Sequence, residues 1–289
     1  MSWLFDGITN WIRQFLIDGI MASFARIFGY VNDQVADIAV QVGQTPAGWN
    51  AGVFAMIRNL SETVVLPIAG MILTFVLCYE LIQLIIEKNN LQDFDTFNIF
   101  KWIFKTFIAV FILTNTFNIV MAIFDLAQTV INNAATLIVG DTALGSPEMM
   151  AALEATMEGM GIGELMGIWL QIQLIGLAMF IMSIVIFIVV VGRMLEIYLT
   201  ISVAPIPLST MVNREWSSIG NNYLKALFAV AFQGFLIMVC VAIYAVLVGS
   251  ISTAANIHVA IWTVVGYTAL LCFMLLKTGG LAKSIFSAS

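Results

Sequence analysis

Apolar runs about as long as a bilayer is thick alternate along this chain with short polar links. The first runs from Val64 to Ile86, with Pro67 in its opening turn, Glu80 near its far end and Lys88 directly after it. A second extends from about Trp102 to Phe124, opened by Lys101 and Lys105, whose long stems can lift their charges to the headgroups. The third, Leu165 to Val191, would measure about 40 Å as a helix, so it must tilt or project beyond the hydrocarbon. A fourth covers Leu224 to Val248 and a fifth Ile257 to Leu276. None shows the period-two alternation of a membrane β-barrel strand. The pattern predicts an all-α, polytopic membrane protein with about five transmembrane helices.

The polar stretches are equally patterned. Leu4, Ile8, Trp11, Ile12, Phe15 and Ile20 recur at helical spacing, while Asp6, Asn10, Arg13 and Gln14 fall largely elsewhere around the wheel. This predicts an N-terminal amphipathic helix lying on the bilayer surface, its tryptophans at the interface, in preference to one docked on its own domain or a neighbour. The N-terminus has no basic region and continuous apolar block of the kind that marks a secretory signal. The chain is thus expected to divide into an amphipathic N-terminal region, 1–63, and a five-helix transmembrane domain, 64–289. A long link, 125–164, carries Asp125, Asp141, Glu148, Glu154, Glu158 and Glu164 and no lysine or arginine, with a helix start expected at Ser146-Pro147-Glu148. The bases collect elsewhere: Lys88, Lys101 and Lys105 in one link, Arg193, Arg214 and Lys225 around the next, Lys277 and Lys283 in the tail. By the positive-inside rule those segments and the C-terminus are expected in the cytoplasm, and the N-terminal region and the acidic loop outside, with Arg13, Arg26 and Arg58 of the N-terminal region as exceptions.

After the third span, Ala204-Pro205-Ile206-Pro207 interrupts the apolar pattern. Each proline removes a backbone donor and disfavours helical geometry in its predecessor, so a helix break is expected, with Ala204 and Ile206 extended.

Composition agrees with the pattern. Hydrophobic residues make up 61% of the 289 and charged ones 10%, with a net charge of −6, too little polar surface to cover a water-soluble globule. The three cysteines, Cys78, Cys240 and Cys272, lie in apolar runs, where packing is their usual role. The single histidine, His258, has no second histidine or thiol at ligand spacing, so no metal or cofactor is expected. Gly159 to Gly163 reads GMGIG outside any βαβ context, which makes it a hinge before the third span, not a nucleotide loop. No catalytic cluster stands out, and the chain is not expected to be an enzyme. Ionisable residues within spans are costly and define the remaining candidates. Arg193 and Glu196 are three apart on a helix and within pairing distance. Glu80 is placed to face a polar path or a neighbouring helix. Lys101, Lys105 and Asn115 fall within about 80° on the second span, either lining a conduit or bonding between helices.

The distribution of these features resembles the TrbL-like conjugal transfer proteins, polytopic components of type IV secretion systems, particularly of Gram-positive conjugative elements. The likeness rests on the amphipathic N-terminal region, the spans with an acidic loop between the second and third, the arginine-bearing third span running into Ala204-Pro205-Ile206-Pro207-Leu208, and the Arg214-Glu215-Trp216 stretch. It implies a subunit of the translocation channel in the cytoplasmic membrane, forming a ring-like homo-oligomer and helping to move relaxase-bound single-stranded DNA or protein. Other secretion subunits, membrane lipids and partner ATPases are the implied associates; the chain itself has no G-x-x-x-x-G-K-[ST] loop. Two other classes fit the residues: a small-solute or ion transporter using the broken segment as its site, and a structural membrane anchor for other secretion subunits.

Overall fold

The computed structural model describes residues 2–87, 96–138, 145–251 and 257–288, and among them the chain is helical with no strand. The elements in order are α1 (Ser2–Val42), α2 (Pro46–Trp49), α3 (Ala51–Leu60), a π-turn (Ser61–Val65), α4 (Leu66–Glu87), α5 (Thr96–Thr114), α6 (Thr116–Ile138), α7 (Pro147–Glu158), α8 (Ile162–Ser202), α9 (Pro205–Ser209), α10 (Ser217–Gly249) and α11 (Ile257–Ile285). Among the described residues six stretches are long and apolar enough to cross a membrane, consistent with the expectation of about five. Two details account for the altered bounds. The first stretch begins at Ala51, because Pro67 is accommodated by the wider π-turn before it, in which the Leu66 amide bonds to Ser61 O. The expected second span is parted at Asn115 into α5 and α6. There the side chains of Thr114, Asn115 and Thr116 bond back to the carbonyls of Val110 (2.9 Å), Phe111 (2.9 Å) and Ile112 (3.0 Å). Such back-bonding bends a helix. The Asn115 amide still reaches Phe111 O at 3.1 Å and Ile119 N reaches Asn115 O at 3.0 Å, so helical bonding continues across the junction of α5 and α6.

Within the acidic stretch 125–164, expected to be a loop, the described residues are largely helical. Asp125 to Ile138 continue α6, whose apolar residues include the buried Ile131. Ser146 caps α7 as expected, accepting from Met149 N at 3.3 Å, with Pro147 in the first turn. Asp141 lies outside the described residues, as does Lys88. The glycine run forms a short turn in which Glu164 Oε2 accepts the Gly161 amide at 3.0 Å, half of a capping box that starts α8. The third span is therefore longer than Leu165 to Val191: α8 is 41 residues and carries Arg193 and Glu196 within it.

The helices gather in two compact units that interleave along the chain. One comprises Met1–Val42, Asn133–Val190 and Ile237–Lys277. From Leu16 to Val42, α1 buries a continuous stripe that includes Ile20, Phe24, Val31 and Ile38. Phe24 and Phe28 meet Leu153 of α7, Ile175 of α8 and Ile261 of α11 around one small cavity. This part of α1 is docked within its own unit, whereas a helix resting on the bilayer was expected: the stripe that recurs beyond Leu16 is wider than the one carrying the tryptophans. Ile8, Trp11 and Phe15 stay exposed, and the side chains of Leu4 and Asp6 lie outside the described residues. Arg13 holds the end of α7 through the carbonyls of Glu158 and Met160, taking up acceptors that a helix C-terminus leaves open.

The other unit comprises Gly43–Asn132, Val191–Leu236 and Thr278–Ser289. Its larger core joins Phe117, Val120 and Phe124 of α6 to Ile197 and Ile201 of α8 and Leu227 of α10. Tyr198 donates to Pro46 O at 2.7 Å and fixes α2 to α8. The smaller core joins Ala69, Leu73 and Leu77 of α4 to Ala109 and Leu113 of α5, with Ile206 and Val212 packed against it.

Candidate functional site

The segment after α8 is compact, not extended. Ala204 has φ −49° and ψ −39°, and its amide bonds to Ile201 O at 3.2 Å; Ile206 N reaches Val203 O at 3.1 Å. The helix tightens for one turn and restarts with Pro205 and Pro207 in the first turn of α9, where amides have no intrahelical acceptor and their loss costs little. Ala204 and Ile206 were expected to be extended. Burial overrides that preference: Ala204 is enclosed in the larger core and Ile206 lies on the smaller one. The α-helix is interrupted at Val203 and Ala204, but by a tight turn.

The chain then turns through 210–216 on its own polar groups. Thr210 Oγ1 donates to Pro207 O at 2.8 Å, and the buried Asn213 accepts from Glu215 N at 2.8 Å. This directs two side chains onto α4. Glu215 accepts from Gln83 Nε2 at 2.8 Å and from Tyr79 Oη at 3.2 Å. The Trp216 ring stacks on Phe75 (5.8 Å between centroids) and Tyr79 (5.6 Å), which are neighbours at i, i+4 on α4. On the other side, α10 approaches α9 so closely at Gly220 that a Cβ there would stand 2.7 Å from Pro207 O. The connection is thus clamped between α4 and α10.

The other sequence-derived candidates are dispersed. Glu80 on α4 forms an ion pair with Lys105 on α5, beside Trp102 Nε1, which donates to Leu77 O at 3.3 Å. Lys101 lies over the Phe97 ring at 4.7 Å, and Asn115 is occupied by its own helix. Within the described unit, Lys101, Lys105 and Asn115 therefore take three different partners. Glu196 bonds Lys283 of α11 at 3.0 Å. Arg193, 5% exposed, reaches across to Ala231 O of α10 at 3.4 Å. It fits because residue 234 is glycine: a Cβ there would be 2.5 Å from Arg193 Nη2 and from Ile131 Cδ1. His258 bonds Gln171 at 2.7 Å, and no metal-holding cluster of His, Cys, Asp and Glu occurs among the described residues.

A buried arginine in a long apolar helix, followed by a packed proline turn, is an arrangement for membrane architecture. Residues 31–205, more than half of the chain and ending in that turn, match the family described as TrbL/VirB6 plasmid conjugal transfer like protein. The chain belongs to this family. It is accordingly a multi-pass membrane component of the conjugal transfer type. Neither the curated proteins nor the solved structures gave a significant match. In this TrbL/VirB6-like chain, sequence reading reached the prolines but not Tyr79, Gln83, Gly220 or Gly234. The one available signal was the i, i+4 spacing of Phe75 and Tyr79 on an otherwise aliphatic helix; the glycines carried none, because their role is defined by what approaches them.

Trp216→Ala removes two stacked ring pairs, each worth about 0.5–1.5 kcal/mol. In a background lacking Cys78, Cys240 and Cys272, the disulfide yield between Gln83→Cys and Glu215→Cys is expected to fall severalfold when Trp216→Ala is added. An unchanged yield would mean that the rings do not hold the connection.

Proposed function

We propose that this chain is a non-enzymatic subunit of the translocation channel of a conjugative type IV secretion system. It assembles as a ring-like homo-oligomer in the cytoplasmic membrane and helps to move relaxase-bound single-stranded DNA or protein across it. The observation that carries this reading is the TrbL/VirB6 match across α8 and the start of the proline turn. Exposed apolar faces support assembly within a membrane: Phe100, Phe104 and Phe107 of α5 and Leu174, Leu177 and Ile181 of α8 all project outwards. One set of so few, mostly apolar spans is too small to enclose a passage for nucleic acid, so several copies are needed. Energy comes from partner ATPases. The basic segments set the orientation, with the N-terminus outside and the C-terminus in the cytoplasm.

The test is an in-frame deletion in the parent conjugative element, complemented in trans, with DNA transfer and assembly of the remaining secretion subunits measured separately. Transfer is expected to fall to background while most other subunits remain associated, and to return on complementation. Loss of assembly together with transfer would favour a structural anchor; undiminished transfer would remove the chain from the pathway. Mass measurement after gentle extraction should find several copies, and a transfer-competent complex with one copy would refute the ring.

A further inference from the structure

Within the first unit, α1 and α8 lie side by side and run in the same direction. A Cβ at Gly19 would meet Trp169 Nε1 at 3.8 Å, Ser23 to Tyr30 share a groove with Ile172 to Phe180, and Tyr30 to Val35 share a small cavity with Met179 to Ile186. The groove follows from helix periodicity. Ser23, Arg26 and Tyr30 form one row on α1 and Gln173, Gly176 and Phe180 the facing row on α8, spaced at three and four residues. Gly176 places no side chain between them, and a groove of about 520 Å³ is left open.

The groove is polar at one end and apolar at the other. At the polar end Arg26 is exposed and donates to Ser23 Oγ at 3.2 Å, with Gln173 opposite; among the described residues no carboxylate pairs with Arg26. Further along α8, Leu177 and Phe180 are exposed. Trp169, also exposed, lies one turn before Gln173, the side on which an interfacial tryptophan belongs if the chain continues from there into hydrocarbon. A cation beside so apolar a helix is costly without an anion, and charge complementarity selects a phosphate. An apolar tail continuing from that phosphate selects a lipid.

We propose that this groove binds an anionic phospholipid, its phosphate on Arg26, Ser23 and Gln173 and an acyl chain along Leu177 and Phe180. The site is independent of the translocation role and is tested without it. Delipidated full-length protein is titrated with phosphatidylglycerol, phosphatidylcholine or inorganic phosphate and read by native mass spectrometry. Phosphatidylglycerol is expected to be retained in preference to both others. Arg26→Gln should weaken it about tenfold, the loss of one charge-assisted contact, while Arg26→Lys retains most of it. Gly176→Leu, whose side chain enters the groove, should abolish retention, and Gly167→Leu, on the same helix in open space, should not. Elution volume and helical circular dichroism check that each variant folds. Equal binding of phosphatidylcholine, binding of inorganic phosphate as strong as that of the lipid, or unchanged retention in Arg26→Gln or Gly176→Leu would each overturn the proposal. So would a photocrosslinker at position 26 that captures a second copy of the chain instead of lipid.

Discussion

Gly220→Ala is expected to destabilise this protein, although the same change at Gly266 is expected to stabilise it. Alanine has the better helix propensity by about 1 kcal/mol, and at Gly266 of α11, where an added Cβ meets nothing within 4 Å, that gain is expected to appear. At Gly220 the Cβ would stand 2.7 Å from Pro207 O. The neighbouring Met211 side chain can move aside, but a carbonyl in α9 moves only if the packed turn moves with it, and overpacking of this kind costs about 1–3 kcal/mol or more. The steric cost wins. Thermal unfolding of the detergent-solubilised protein, followed by fluorescence-detected size exclusion, should show Gly220→Ala less stable than the parent and Gly266→Ala equal or more stable. If both shift alike, α10 does not rest on the proline turn.

The second large effect is expected at Gly234, where the space is taken by a charged group. Gly234→Val places a branched side chain against the Arg193 guanidinium and Ile131 Cδ1, both buried in the same unit. Displacing a buried guanidinium from its hydrogen bonds adds to the overpacking, for a total of about 3 kcal/mol. The cause can be isolated. Arg193→Met preserves much of the stem volume without the forked head, so it should recover more than half of the loss from Gly234→Ala when the two are combined, a coupling measured by a double-mutant cycle. Additive losses would show that Arg193 is not what Gly234 makes room for.

The apolar periodicity made the helices legible because a bilayer leaves the chain few options: each crossing must satisfy its own backbone. The bounds were less legible where side chains and backbone compete. Nothing in the apolar pattern around Asn115 reveals that three successive side chains bond back to their own helix, and the acidic residues of 125–164 concealed the apolar positions that carry α6 to Ile138. The prolines drew attention to the correct place but predicted the wrong conformation, because the preference of a residue before proline is local, whereas Ala204 and Ile206 are held by contacts with α4, α6 and α10. Charged candidates were visible as residue types, but their partners were not. Arg193 and Glu196, neighbours on one helix, are directed to α10 and α11 respectively, a choice set by packing and not by spacing.

The break at Asn115 has a consequence for the backbone. A kinked membrane helix ordinarily bares carbonyls to oil as it flexes, and that penalty resists bending. Here the oxygens of Val110, Phe111 and Ile112 each receive a donor from the side chain four residues along, so they stay satisfied where the backbone ladder is interrupted. The junction is thus insulated: the break in the α-helix between α5 and α6 leaves these three carbonyls served by their own helix, with neither water nor a partner chain needed to shield them.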